Sequence, residues 1–137
     1  METMTIYRAM GLKEFQKLSA GAPIKGNTHL SYIRKGYQTG GSGVFFAECE
    51  DRPCAIGMTM QKFSSLRGEH SVLVEFVVRK DVMTETWGEY YYSGRFTPHR
   101  EREWCIPEYD RTVVVPVAYT MDLKWDDMDE AVWYPFN

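Results

Sequence analysis

The spacing of apolar positions changes period several times along the chain, and each change predicts an element. Thr5-Ile6-Tyr7-Arg8-Ala9-Met10 is a compact run of strand formers, and Leu12, Phe15 and Leu18 then recur at helical spacing until Gly21 stops them. Gly43-Val44-Phe45-Phe46-Ala47 predicts a second short strand. Asp51 follows as an N-cap with Pro53 in the first helical turn, and Ile56, Met60 and Phe63 mark one face of a helix that closes near Gly68. From His70 to Val78 the pattern alternates, with Val72, Val74, Phe76 and Val78 on one side. Leu73 and Val77 make the other side partly apolar, as expected of a central strand.

Residues 21 to 42 hold Pro23, Gly26, Gly36, Gly40 and Gly41, which predicts mostly loop with room for one helical turn; a loop of that length is usually functional. An irregular aromatic stretch is expected from Thr84 through Pro98. A strand at Glu103 to Ile106, a turn at Pro107 to Asp110 and a strand from Thr112 to Tyr119 come next. Pro116 inside the last of these implies an edge or a bulge. The tail, with Asp126, Asp127, Asp129 and Glu130 among aromatics, reads as a docked terminal segment. Strands outnumber helices after residue 70, and there is no internal repeat or linker, so a single α+β domain over residues 1–137 is expected rather than a doubly wound sheet.

Composition narrows the classes. With 137 residues, 44% apolar and 26% charged, the chain has ordinary globular usage and enough length for one core. No run approaches the roughly 20 apolar residues of a membrane span, and the start lacks the regions of a signal peptide, so the expectation is a cytoplasmic protein without a membrane partner. Cys49, Cys54 and Cys105 are odd in number and scattered, which fits small buried hydrophobes in a reducing compartment. These cysteines and His29, His70 and His99 show no metal-ligand spacing, and no metal is expected. Gly40-Gly41-Ser42-Gly43 precedes a strand, unlike a phosphate-binding loop. The net charge of −3 gives no global attraction to nucleic acid.

The chemistry concentrates in a few residues. Glu101 and Glu103 stand two apart on a strand, so both carboxylates can enter one cleft, where shared charge raises one pKa. The bland alternatives are a strand-end Glu103 paired with Arg100 or Arg102, and an exposed Glu101. Arg8 can fork two hydrogen bonds to phosphate or ribose oxygens; its alternative is a structural pairing with Glu48 or Glu75. Phe45 and Phe46 alternate across the sheet, one toward the core and one toward a cleft where a ring can stack. Arg95, His99, Arg100 and Arg102, beside Tyr90 to Tyr92 and Phe96, form either a solvated loop or a recognition patch.

Taken in order, Tyr7-Arg8, Gly41-Ser42-Gly43-Val44-Phe45-Phe46-Ala47 and Glu101-Arg102-Glu103-Trp104-Cys105-Ile106-Pro107 resemble the three motifs of the ADP-ribosyltransferase superfamily. The resemblance implies a split, mostly antiparallel sheet flanked by short helices, with NAD as co-substrate. Arg8, Tyr7, Gly43, Phe45 and Phe46 would then contact NAD, Glu103 would be catalytic and Glu101 would position the acceptor. It further implies a macromolecular acceptor, protein rather than nucleic acid, and a small toxin or phage effector, with Arg8 and Glu103 meeting across one nucleotide-sized hollow. The arginine-modifying branch carries Ser-Thr-Ser on the middle strand and another branch a Tyr; this chain has neither, which leaves a non-catalytic binding module as the alternative. The paired His and Arg motifs of an RNA-end-processing relative are absent.

Overall fold

The computed structural model describes residues 2–26, 43–65, 72–90, 99–121 and 131–137. Strand β1 (Thr3–Met10) leads through Gly11 into helix α1 (Leu12–Ser19). The helix ends as Gly21 predicts: Gly21 has φ 92°, its N–H donates to the Leu18 carbonyl, and the Ala22 N–H donates to the Lys17 carbonyl. That pair of bonds is the Schellman closure, which needs a left-handed residue and therefore favours glycine. Strand β2 (Val44–Glu48) follows, then helix α2 (Arg52–Ser65), whose Cys54 N–H donates to Asp51 Oδ1 at 2.8 Å. Asp51 is thus the N-cap, with Pro53 in the first turn where a missing N–H costs nothing.

Strand β3 (Val72–Arg79), a 3-10 turn (Lys80–Val82), β4 (Thr84–Tyr90), β5 (His99–Ile106), β6 (Val114–Met121) and β7 (Tyr134–Pro135) complete the order. Among the described residues the strands form one sheet, β4-β5-β2-β1-β3-β6-β7, with every pairing antiparallel. The fold class is α+β. The sheet is single rather than split, although β1 and β2 are joined at two positions only, Ile6 to Glu48 and Tyr7 to Ala47, whereas β1 and β3 pair along their whole length.

One sequence expectation changes, and one open alternative is resolved. The first part of the stretch after Thr84 is a strand, Thr84 to Tyr90 pairing with β5 from Cys105 back to His99, so β5 also begins four residues before Glu103; residues 91–98 lie outside the described residues. β4 lies at the end of the strand order and needs no apolar alternation, which is why its pattern was silent. Pro116 sits at a register shift opposite Phe76, and the Phe136 N–H donates to the Val117 carbonyl, so the bulge reading is the correct one.

The sheet is covered on both faces. On the α1 face Ile6, Met10, Val72, Val74, Phe76 and Val78 pack with Phe46, Trp104, Ile106 and the helix residue Leu18. On the α2 face Tyr7 and Leu73 pack with Ala55 and Ile56, and Trp133 lies against them. Strand β3 is buried on both faces and interior, beside the central β1.

Candidate functional site

Antiparallel register fixes which side chains share a face, because directly paired residues point the same way. Glu75 pairs with Tyr7, Tyr7 with Ala47, Ala47 with Glu103, and Glu103 with Thr86. These five residues form one transverse row on the α2 face, running across five adjacent strands. Phe45 pairs with Cys105 one step along the same face and packs against it. Glu103, Tyr7 and Phe45 are therefore neighbours on one surface of the sheet, and all three are interior, at 2%, 4% and 6% exposure.

One end of the row is a polar cluster that the sequence reading missed. The Tyr7 hydroxyl donates to Glu75 Oε2 at 2.9 Å, and Arg52 forks onto both Glu75 oxygens at 3.0 and 3.1 Å. The Arg52 guanidinium also lies 4.5 Å from the centre of the Trp133 ring, which meets Tyr7 edge to face at 6.4 Å. Burial first, and then the bond to the Glu75 carboxylate, push the Tyr7 phenol far up. Burial would also raise Glu75, but the bonds from Arg52 and Tyr7 outweigh it and hold this carboxylate below its ordinary value. The available signal was Glu75 itself, a charge interrupting an otherwise apolar strand.

At the other end, Glu103 is an interior carboxylate on a strand flanked by β4 and β2. Burial, and then the charge of Glu103, push the Cys105 thiol up. The pairing of Glu103 with Arg102 does not form: Arg102 reaches Glu48 at 3.4 Å and Glu85 at 3.3 Å. Glu101 lies on β5 opposite Gly88; its side chain is outside the described residues. So are the side chains of Tyr90, His99 and Arg100, and the whole of Tyr91, Tyr92, Arg95, Phe96, His29, His70, Ser42 and the acidic tail.

Arg8 departs from expectation. Its Nη2 and Nε meet Glu14 of α1 at 3.0 and 3.3 Å, and its Nη1 donates to the Phe45 carbonyl at 2.9 Å. The pairings with Glu48 or Glu75 do not form. Arg8 follows Tyr7 on β1 and so faces α1, on the opposite side of the sheet from Glu103. The expected meeting of Arg8 and Glu103 in one hollow is corrected by this register. What Arg8 does instead is bridge β1 to β2 where their pairing stops.

Phe46 is also on the α1 face, meeting Phe76 edge to face at 5.1 Å inside the core. Of the two phenylalanines, Phe45 is the one on the Glu103 face. Gly43 has φ 137°, and a Cβ there would lie 2.7 Å from Cys105 Sγ and 2.9 Å from the Ile106 carbonyl oxygen. Gly26 approaches so closely that its own Cβ would be 3.0 Å from the Gly43 carbonyl carbon. Gly43 thus has a structural task, letting two backbones pass at the start of β2.

Among the described residues no group of three or more His, Cys, Asp or Glu side chains could hold a metal ion, and no helix is long and apolar enough to cross a membrane. Comparison of the chain with protein-family models, with curated proteins and with solved structures finds no match.

Proposed function

We propose that the chain is an NAD-dependent ADP-ribosyltransferase acting on a macromolecular acceptor, a protein, with Glu103 as its catalytic residue. The observation that carries the reading is a carboxylate kept inside an interior strand position, on the face it shares with Tyr7 and Phe45. A carboxylate is costly to keep in the interior unless it is paired and hydrogen-bonded, and interior carboxylates concentrate at functional sites, so its retention favours chemistry. In this reaction the bond between ribose C1 and the nicotinamide nitrogen breaks, and its electron pair leaves with nicotinamide. The acceptor heteroatom forms the new bond to C1 and releases its proton to solvent. Glu103 stabilises the developing positive charge on the ribose, as a carboxylate does in glycoside cleavage, and the Phe45 ring offers a stacking surface one step away.

Incubation of the protein with NAD labelled in its ADP-ribose portion and a cell lysate tests this. Label should enter protein with wild type and not with Glu103→Gln; equal labelling by both would remove the proposal.

A second reading, a non-catalytic binding module, is favoured by one observation: Arg8 is spent on Glu14 and the Phe45 carbonyl, on the wrong face to hold NAD for Glu103. Calorimetry separates the two. The transferase reading expects NAD to bind wild type and Arg8→Met with affinities within about threefold, roughly 0.6 kcal/mol apart, since Arg8 makes no ligand contact in it. Absence of any NAD affinity in the wild-type protein supports the module.

A further inference from the structure

The transverse row on the α2 face has one small member. Ala47 stands on β2 between Tyr7 and Glu103, paired directly with both. Strands lie about 4.8 Å apart, so the Tyr7 and Glu103 backbones are separated by about 10 Å, and only a methyl group rises from the sheet between them. Burial follows the same contrast: Tyr7 and Glu103 are interior, while Ala47, on a strand flanked on both sides, remains partly exposed. Solvent therefore reaches the sheet at Ala47 and is excluded from the neighbours on either hand. The Tyr7 hydroxyl is bonded to Glu75 on β3, the neighbouring strand on the side away from Ala47, and its ring meets Trp133 edge to face. Phe45 borders the gap along β2, two residues away on the same face.

We propose that Ala47 is a size gate: the gap it leaves between Tyr7 and Glu103 admits one flat ring or sugar of a nucleotide ligand to the Glu103 carboxylate. The inference rests on the reading of Glu103 as a site residue and adds to it the position that decides what fits. A larger side chain at 47 fills the gap without touching the Tyr7–Glu75–Arg52 bonds, so it blocks ligand and leaves the fold standing.

The test uses the full chain and NAD as probe. Ala47→Val and Ala47→Leu are compared with wild type for nicotinamide release and NAD affinity, with Val115→Leu as the control, an enlargement on the same face at the far side of the sheet. The gate predicts KM for NAD rising at least tenfold from wild type to Ala47→Leu, Ala47→Val falling between, and the control unchanged, all with similar thermal melting. A second arm that does not depend on enlarging the side chain guards against misfolding: Ala47→Cys should react with a small charged thiol reagent, above the wild-type background from Cys49 and Cys54, and NAD should protect it. KM unchanged in Ala47→Leu, or thiol labelling indifferent to NAD, overturns the gate while leaving Glu103 in place. A wild-type protein that neither splits nor binds NAD overturns the gate and the transferase reading together.

Discussion

At the scale of single residues, two positions decide more than their share. Gly43 combines a φ that L residues rarely adopt with a Cβ position already occupied by Cys105 and Ile106. Gly43→Ala should destabilise the fold by roughly 2 kcal/mol or more, read as a lower denaturation midpoint; a midpoint matching wild type would contradict the close approach. Glu75 carries a pH signature. Its folded pKa lies below its ordinary value of 4.5, so its contribution to stability is complete above that value and is lost as pH falls through the folded pKa. Melting temperature should therefore drop below about pH 4.5 more steeply in wild type than in Glu75→Gln, whose curve should be flatter there; parallel curves would show that the Arg52 fork does not hold Glu75 ionised. Little of this cluster was legible beforehand. Arg52, Glu75, Tyr7 and Trp133 come from four separated segments, and only strand register brings them together.

At the scale of elements, local signals worked where local physics dominates. The α1 stop at Gly21, the Asp51 cap of α2 and the apolar core strand β3 depend on neighbours within a few residues, and their patterns were readable. β4 was not, because Thr84, Thr86 and Gly88 on one side and Glu85, Trp87 and Glu89 on the other give no apolar alternation; pairing with β5 creates the strand. The acidic stretch expected to dock lies outside the described residues, but the last residues, 131–137, are anchored specifically. Phe136 meets Phe15 at 6.0 Å and Tyr119 at 6.4 Å, Arg111 lies 5.4 Å above its ring, and Tyr134 stacks on Tyr119. Phe136→Ala should cost about 1–3 kcal/mol in urea unfolding, less than a fully buried phenylalanine because the ring is partly exposed. An unchanged unfolding midpoint would mean the last residues add nothing to the core they touch.

At the scale of the whole molecule, the sheet is a partition. The α1 face carries the larger apolar core, with Arg8, Glu14 and Phe46; the α2 face carries Glu103, Phe45, Tyr7 and the Arg52–Glu75 pair. Motif order along the chain placed Arg8 and Glu103 at one site, but order does not encode face. A one-residue difference in phase, Arg8 rather than Tyr7, reverses the side of the sheet a residue serves. The proposed chemistry therefore belongs on the α2 face, where Tyr7 rather than Arg8 is the first-strand residue on the same side as Glu103. The most direct measurement is nicotinamide release from NAD by purified protein, for wild type and Glu103→Gln. Wild type should release nicotinamide and the variant should lose at least about 100-fold of that rate, the scale expected when a charge-stabilising group is removed, with both proteins melting alike. Release at the same rate from both, or from neither, would contradict it.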